Sequence, residues 1–288
     1  MRFALVDGQR HLPKKGLKGF CPVCGSPVMA RCGEVRGHHW AHVKGMDCAD
    51  TWNTGKETDW QLGWKNKFPE EWQERILKDT TTGEKHIADV LTDKNLVVEF
   101  QHSPIQPDER RARETFYTSE GRRMVWVVDI SDSQRALKKI KEHLSNLSQP
   151  PALRTWYRLS FPDEVFPVQW TRGNSLVPVA FDCGYELWIE DKNGEVFPVM
   201  PVLISEADTQ DGMLICILEK EFVELVRQSR LHEVLFAHFI PKSGKQVTPQ
   251  KSRAASPQPA QVPYSTLPGS NIRIYPPTPG YGKRRRRF

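Results

Sequence analysis

The sequence predicts an α/β fold in which helices flank a mixed β-sheet, with a metal-binding knuckle before it and a second, small α+β domain after it. Within residues 53–149, the hydrophobic pattern runs in the order helix, strand, strand, helix, strand, helix, which is typical of a mixed sheet covered by helices. Four cysteines lie between Cys21 and Cys48. Short strand patterns dominate residues 150–240.

The charge of the chain is unevenly distributed. The 288 residues carry a formal net charge of +6, but residues 241–288 hold ten Lys and Arg and no acid, so the remainder has 31 basic against 35 acidic residues, a net −4. Pro, Ser, Gln and Gly displace apolar residues in this last segment, which predicts a disordered basic tail. Such a tail binds polyanions nonspecifically.

The chain shows no stretch that is long and apolar enough to span a bilayer, and its first residues lack the charged-then-apolar pattern of a secretion signal. Clustered cysteines beside histidines suit a metal site in a reducing compartment better than a disulfide framework. We therefore expect a cytoplasmic protein without a membrane span.

Residues 1–52 are predicted to form a hairpin and a zinc knuckle. The turn Asp7-Gly8 separates two short strand patterns. Cys21-Pro-Val-Cys24-Gly25 brings two thiolates to one point, and the candidates for the other ligands are Cys32, His38, His39, His42 and Cys48. His42 and Cys48 have the spacing of a second knuckle, so we expect structural Zn²⁺ on Cys21, Cys24, His42 and Cys48. Free cysteines beside a surface histidine patch are the alternative.

A helix is predicted over residues 54–67, because Trp60, Trp64 and Phe68 recur at four-residue steps. We expect these aromatic residues in the core. Pro69 ends the helix, and a second short helix is predicted over residues 70–77.

A polar row of Glu57, Gln61 and Lys65 lies beside the aromatic row on the first helix. In one interpretation this row faces a catalytic cleft. In the other, Glu57 only caps the start of the helix in a capping box with Thr54. The sequence leaves both interpretations open.

The segments 85–91 and 96–101 are predicted to form a β-hairpin with one acid on each strand. Alternation puts Asp89 on one face of the first strand and Glu99 and Gln101 on one face of the second. If these faces coincide, two carboxylates converge among β-branched residues, where burial without a partner is costly. A divalent cation is the partner that such a pair favours. The alternatives are a strand-end acid bonded to backbone for Asp89 and a salt bridge for Glu99.

Residues 107–117 form a predicted helix, with Pro107 in its first turn and acids at its positive end. Arg113 and Tyr117 share a face. Arg110, Arg111 and Arg113 contact phosphates or form a solvated charged face. A buried strand over residues 124–130 and a helix over residues 133–147 complete the core.

The prolines at 150 and 151 mark a predicted domain boundary, which divides the chain into residues 1–52, 53–149, 150–240 and 241–288. In the third part we expect short strands, a turn at Asp191-Lys-Asn193-Gly194, a helix over residues 219–231 and a last strand over residues 234–240. No catalytic constellation is evident there.

An ordered set of residues between 18 and 130 resembles the competence protein CoiA-like family, a branch of the PD-(D/E)XK nuclease superfamily. The set comprises Cys21-x2-Cys24, His39-Trp-Ala-His42, Cys48, Glu57-x7-Lys65, Ala88-Asp89-Val90, Glu99-Phe-Gln101-x-Ser103, Ile105, Glu109, Arg113 and Tyr117. Gln61 stands where the family has His, and Gln101 replaces the lysine of the wider superfamily, although Glu-x-Gln is normal for the CoiA-like branch.

The resemblance implies a PD-(D/E)XK-like core and a nuclease that uses Mg²⁺ (or Mn²⁺) to hydrolyse DNA phosphodiester bonds. Asp89, Glu99 and the carbonyl of Phe100 would bind the ion, and Glu57 would add a carboxylate. Gln101 would orient the attacking water, and Lys65 or an arginine of the 110–113 group would supply positive charge.

The same resemblance implies that Arg110, Arg113 and Tyr117 bind the substrate phosphates. The main alternative is a non-catalytic DNA-binding or recombination-assisting protein with the same fold. A second is an interaction module in which the core is vestigial.

Overall fold

The computed structural model describes residues 1–33, 37–44, 46, 48, 50, 52, 57–146, 153–172, 176–191, 193–205 and 211–237. The predicted basic tail, the predicted boundary at residues 150 and 151, and Thr54 lie outside the described residues. Within the described part of the chain, no helix has both the length and the apolar composition needed to cross a membrane.

The amino-terminal residues form a small antiparallel sheet of five strands in the order β2-β1-β3-β4-β5. The strands are β1 (Ala4–Val6), β2 (Gln9–His11), β3 (Lys18–Phe20), β4 (Pro27–Arg31) and β5 (His39–His42). Asp7 and Gly8 both have positive φ, 50° and 76°, as a tight hairpin turn requires, so the predicted hairpin is confirmed.

A nine-stranded mixed sheet forms the centre of the molecule. Eight strands follow the order β10-β14-β13-β11-β9-β8-β7-β6, and β12 pairs with β13. They are β6 (Gln73–Lys78), β7 (Lys85–Leu91), β8 (Leu96–Gln101), β9 (Arg123–Asp129), β10 (Trp156–Ser160), β11 (Val179–Asp182), β12 (Trp188–Glu190), β13 (Val196–Ser205) and β14 (Asp211–Leu218). The pairs β8–β9 and β9–β11 are parallel and the other pairs are antiparallel.

Helices cover both faces of the large sheet. They are α1 (Asp59–Lys65), α2 (Pro107–Thr118), α3 (Gln134–Ser145), α4 (Pro162–Val165), α5 (Val168–Thr171), α6 (Glu219–Arg227) and α7 (Leu231–Phe236). Apolar side chains of α2 and α3 enter one buried cluster with Trp126, and those of α1, α6 and α7 enter a second with Val127. Because neighbouring residues of β9 point to opposite faces, the two clusters lie on the two sides of the sheet. The predicted mixed sheet flanked by helices is confirmed.

The small sheet packs against the large one. Ala4, Val28 and Trp40 share a third buried cluster with Ile87 of β7. The segment between the sheets is anchored by Asp50, whose carboxylate accepts hydrogen bonds from the backbone N–H of Ile87 (3.1 Å) and pairs with His86 Nδ1 (2.9 Å).

Three local predictions are wrong. Residues 70–77 form one 3₁₀ turn (Glu70–Trp72) and then strand β6, because edge pairing with β7 overrides the local helical pattern. Helix α1 begins at Asp59, and its capping box joins Thr58 to Gln61, so Glu57 precedes the helix and does not cap it. Residues 234–236 of the predicted last strand belong to helix α7, because its apolar side chains pack beside α6, and residues 238–240 lie outside the described residues.

The strands after residue 153 continue the sheet of the preceding segment. β11 pairs in parallel with β9, from Val179 opposite Trp126 to Asp182 opposite Asp129. The division between residues 53–149 and 150–240 stays a prediction.

Candidate functional site

Two buried carboxylates meet where β7 and β8 separate. The ladder pairs Val90 with Val98, and this register puts Asp89 opposite Glu99. Glu99 Oε1 accepts the backbone N–H of Asp89 (2.9 Å), and Asp89 Oδ2 accepts that of Phe100 (2.9 Å). Each carboxylate thus accepts a backbone N–H of the neighbouring strand, as a carbonyl group does in a regular sheet. Asp89 is 8% exposed and Glu99 is 2% exposed.

A lysine ammonium group lies among three carboxylates at this point. Lys65 Nζ is 2.8 Å from Asp89 Oδ1, 2.8 Å from Glu57 Oε1 and 3.2 Å from Glu74 Oε1. Burial by itself lowers the pKa of Lys65, but the three carboxylates outweigh it and raise that pKa well above its ordinary value. Lys65 is therefore charged, and it neutralises part of the acidic cluster.

Helix α1 holds Lys65 in position through its tryptophans. The ring of Trp64 stacks on Phe100 with centroids 5.7 Å apart. The indole N–H groups of Trp60 and Trp64 both donate to Asp182 Oδ2, at 2.8 and 2.9 Å. Because these contacts fix the last turn of α1 over β8 and β11, the neighbouring Lys65 reaches the carboxylates.

Glu74 belongs to the acidic cluster and was missed from the sequence. Gln73 pairs with Val90 and Arg75 with Ala88, so Glu74 stands opposite Asp89. Its Oε2 accepts the backbone N–H of Arg2 at 2.8 Å. Burial raises the pKa of Glu74, but Lys65 and this N–H outweigh it and lower the pKa. Alternation along a strand would have revealed this residue, but residues 70–77 were assigned to a helix.

The Glu99 carboxyl is held by an arginine from α2. Arg113 Nη1 lies 3.4 Å from Glu99 Oε2, and Arg113 also pairs with Glu109 at 2.6 Å. Burial and the charge of Asp89 raise the pKa of Glu99 to about 8, although Arg113 opposes them. Burial and this neighbouring charge thus favour the protonated form of Glu99.

The oxygen and amide groups around Phe100 are already engaged. Gln61 Nε2 donates to the carbonyl of Phe100 at 3.0 Å, so Gln61 contacts a predicted metal ligand. Gln101 Nε2 donates to the carbonyl of Ser103 at 2.7 Å. Within the described residues, the Gln101 side chain therefore hydrogen-bonds to this backbone carbonyl and to neither of the two acids.

The predicted phosphate-binding residues do not gather around the two acids. Tyr117 is buried, and its hydroxyl donates to the carbonyl of Ile87 at 2.8 Å. Arg110 is also buried and pairs with Glu114 at 2.7 Å. Of the three, Arg113 alone contacts an acid of the site. This arrangement favours structural roles over phosphate contacts.

The donor set fits Mg²⁺ in its chemistry. Carboxylate and carbonyl oxygens are the ligands that this ion prefers, and Asp89, Glu99, Glu57, Glu74 and the Phe100 carbonyl provide them. Lys65 Nζ lies among three of these groups. A divalent ion could therefore bind between them only if this ammonium group moved away.

A second group, in the small sheet, has the geometry of a metal site. Cys21, Cys24, His42 and Cys48 place one ligand atom each within 4.8 Å of all the others, and within the described part of the chain no other such group of three or more His, Cys, Asp or Glu occurs. The Sγ atoms of Cys21 and Cys48 are 3.8 Å apart, and Cys24 Sγ lies 3.3 Å from His42 Nε2. Tetrahedral Zn²⁺ with Zn–S bonds of about 2.3 Å needs sulfurs about 3.8 Å apart, so the four residues fit this ion.

The thiols of this group differ in acidity. Burial raises the pKa of Cys24, but hydrogen bonds with Ser26 and His42 outweigh it and lower that pKa to about 6. Burial raises the pKa of Cys21 to about 12. Gly25, with φ of 72°, allows the backbone to turn and donate its N–H to the carbonyl of Cys21 at 2.9 Å.

Two segments of the chain match models of known protein families. Residues 82–157 match the model of the competence protein CoiA, nuclease-like domain, so the hairpin that carries Asp89 and Glu99 lies in a nuclease-like domain. Residues 10–50 match the competence protein CoiA, N-terminal domain, which includes the Cys/His group. These two segments are therefore similar to CoiA proteins, and the predicted resemblance is confirmed.

No curated protein and no solved structure matches the chain significantly. Glu57, Lys65 and Glu74 lie between the two matched segments. The acidic cluster thus combines residues inside and outside the nuclease-like match.

Proposed function

We propose that this protein is a nuclease that uses Mg²⁺ or Mn²⁺ to hydrolyse DNA phosphodiester bonds. One observation carries the proposal: Asp89 and Glu99 converge, buried, where two strands of a nuclease-like domain separate. Burying acids in this way is costly unless they serve a charged partner. Glu57 and Glu74 enlarge the same cluster from outside the hairpin.

The residues that would hold the ion are Asp89, Glu99 and the carbonyl of Phe100, with Glu57 as a further carboxylate. The bound ion would polarise the scissile phosphate and lower the pKa of a water molecule. Gln61 orients the Phe100 carbonyl, and Arg113 orients Glu99. These contacts restrict the ligand oxygens before any ion binds.

Lys65 is proposed to be the cationic residue of the reaction. Gln101 is neutral, so it can orient a water molecule but cannot offset the charge that develops on the phosphate. The ammonium of Lys65 lies 2.8 Å from Asp89 and supplies that charge. Arg113 and Tyr117 act on the site indirectly, because they hold Glu99 and Ile87.

The second candidate is a DNA-binding or recombination-assisting protein that does not cut. Lys65 satisfies three carboxylates at 2.8–3.2 Å, which makes a closed ionic cluster without a divalent ion. In this case the cluster would stabilise the fold, and phosphates would be bound elsewhere.

For the small sheet we propose a structural Zn²⁺ on Cys21, Cys24, His42 and Cys48. The mutual distances and the mixed thiolate and imidazole donors support it. DNA is the proposed partner, bound through phosphates and through the basic tail. The cytoplasmic location stays a prediction.

A cleavage assay tests the catalytic proposal. Wild type and the double variant Asp89→Asn/Glu99→Gln are incubated with supercoiled, linear and single-stranded DNA, with Mg²⁺, Mn²⁺ or chelator. We expect metal-dependent cleavage by wild type and its loss in the double variant. The control Glu71→Gln/Asp93→Asn removes two exposed acids and should cut like wild type. If wild type binds DNA but cleaves none of the three substrates in the presence of metal, the result would support the second candidate.

A further inference from the structure

A cavity of about 530 Å³ lies beside helix α2, away from the acidic cluster. Its wall comprises side chains of α2, the first residues of β9, Arg172 and Leu176 before β11, and His232 of α7. Five arginines line it: Arg110, Arg111, Arg122, Arg123 and Arg172. Helix α2 separates it from the acids, because Arg113 contacts Glu99 whereas Arg110 borders the cavity.

The lining is strongly cationic. Its acidic member is Glu114, and both Arg110 Nε (2.7 Å) and Trp126 Nε1 (2.9 Å) already donate to it. Arg122 is also committed, because it donates to the Phe116 and Tyr117 carbonyls at the end of α2. Arg122 also pairs with Glu120 at 2.7 Å. Both arginines are thus held by carboxylates and form the fixed part of the wall.

Three arginines remain available for a ligand. Arg111 and Arg172 have mostly exposed side chains, paired with Asp108 and Asp163. Such exposed surface pairs are weak, so an anion can replace the carboxylates. Arg123 donates to the carbonyl of Lys94 at 3.4 Å and has no carboxylate partner in the described part of the chain.

A buried polar atom in the same wall lacks a partner. His232 Nδ1 is buried and makes no hydrogen bond within the described residues, an arrangement that native proteins mostly avoid. Burial, with the charge of Arg123, lowers the pKa of His232 to about 3. The imidazole is therefore neutral and adds no charge to the wall.

We propose that this cavity is a phosphate-binding site, separate from the acidic cluster, for a phosphate of a nucleic-acid strand or of a free phosphate compound. Arginine forks match phosphate oxygens in two-point contacts. The volume lies within the range of about 300–1,000 Å³ of small-molecule pockets. The site needs no divalent ion, so it stands whether or not the acidic cluster cleaves DNA.

Binding measurements in chelator test this proposal without any cleavage. The full chain and the triple variant Arg111→Gln/Arg123→Gln/Arg172→Gln are titrated calorimetrically with inorganic phosphate and with a ten-residue thymidine oligonucleotide. The matched control Lys14→Gln/Lys15→Gln/Arg135→Gln loses the same charge from exposed positions elsewhere. We expect the triple variant to bind at least about tenfold more weakly, because charge-assisted contacts are lost, and the control to be unaffected.

The two ligands distinguish the source of the phosphate. Weaker oligonucleotide binding, with a salt slope reduced by about 0.7 for each lost contact, identifies a nucleic-acid strand. Weaker binding of inorganic phosphate alone identifies a free compound. Equal affinity of the triple variant and the control for both ligands, or binding of neither ligand by wild type, would overturn the proposal. If the triple variant does not fold, Arg123→Gln alone is measured in the same way.

Discussion

At the scale of single residues, the charge balance of the acidic cluster depends on Lys65. Its ammonium group contacts Asp89, Glu57 and Glu74, and both Lys65 and Glu74 are buried. Removing one member of a buried ionic group leaves the others uncompensated, which costs more than the group contributes when intact. Burial and the charge of Asp89 raise the pKa of Glu99, so the cluster disfavours a further negative charge at this position.

Replacing this lysine tests whether the cluster takes a divalent ion. Lys65→Met keeps the length of the side chain but removes the charge, so we expect the free energy of unfolding to fall by about 3–5 kcal/mol. Mg²⁺ should restore more stability to this variant than to wild type, because the three carboxylates are then free to bind it. Urea unfolding with and without Mg²⁺ measures both effects.

The exposed Lys138→Met provides the control, since its pair with Glu142 is 3.7 Å long and lies at the surface. It should change stability by less than about 1 kcal/mol. Equal gains from Mg²⁺ in Lys65→Met and wild type would contradict a cation site at this position.

The raised pKa of Glu99 predicts a pH dependence of stability. An acid with a pKa of about 8 in the folded state and about 4.5 in the unfolded state binds more protons when folded, so stability falls as pH rises through this interval. The variant Glu99→Gln cannot lose that proton. We expect wild type to lose up to about 1.4 kcal/mol per pH unit relative to Glu99→Gln between pH 4.5 and 8, as measured by urea unfolding. Parallel pH profiles of the two proteins would refute the assignment.

Some of the site was predictable from residues alone, and some was not. Alternation along two strands was sufficient to bring Asp89 and Glu99 together, and Cys-x2-Cys spacing to find the Cys/His group. Glu74 was missed because its neighbours have a helical pattern that pairing with β7 overrides. The roles of Arg110 and Tyr117 depend on which face of α2 is buried, and the charge pattern of a helix does not determine this.

At the scale of elements, strands β3 to β5 lie around the Cys/His group and share only a small core. Their buried cluster holds few residues, and Cys21 is one of them. Small folds of this kind depend on cross-links or metal ions for stability. We therefore expect the four side chains of this group to contribute to folding through the metal that we propose they bind.

Loss of two ligands should unfold this element. In Cys21→Ser/Cys24→Ser we expect the roughly one equivalent of Zn²⁺ to be lost and the amino-terminal sheet to become sensitive to protease, because metal binding free energy is folding free energy here. Metal content is measured by plasma mass spectrometry, and protection by limited proteolysis. Cys32→Ser lies outside the group and should retain its metal. Full metal content in the double variant would rule out the site.

At the scale of the whole molecule, one sheet joins the nuclease-like segment to the strands that follow it. Trp126 of β9 packs against Trp170 with ring centroids 5.2 Å apart, and Asp182 of β11 accepts the indole N–H groups of α1. The side chains that position Lys65 thus extend beyond residue 153. The later strands support the site although they contribute no acid to it.

A truncation tests this dependence. A fragment of residues 1–146 lacks the strand that pairs with β9, so it exposes one edge and part of both buried clusters. We expect it to lack a cooperative urea transition and near-ultraviolet circular dichroism, whereas a fragment of residues 1–237 should retain both. Cooperative unfolding of the shorter fragment would instead support an independent domain ending before residue 150.

The fragment of residues 1–237 also tests the basic tail. Deleting residues 238–288 removes ten basic residues and no acid, so we expect weaker DNA binding and a smaller slope of log affinity against log salt. The measurement is fluorescence anisotropy of labelled duplex DNA at several salt concentrations. An unchanged slope would show that the tail does not contact DNA.

The position of Lys65 has a consequence for how a divalent ion would enter. Because Nζ already occupies the space between Asp89 and Glu57, loading becomes an exchange reaction in which the ion displaces a tethered competitor. The effective concentration of that competitor is set by the fold and cannot be lowered by dilution. The carboxylates would then bind metal more weakly than their number implies, and the concentration of free Mg²⁺ needed for half occupancy would be set by one side chain.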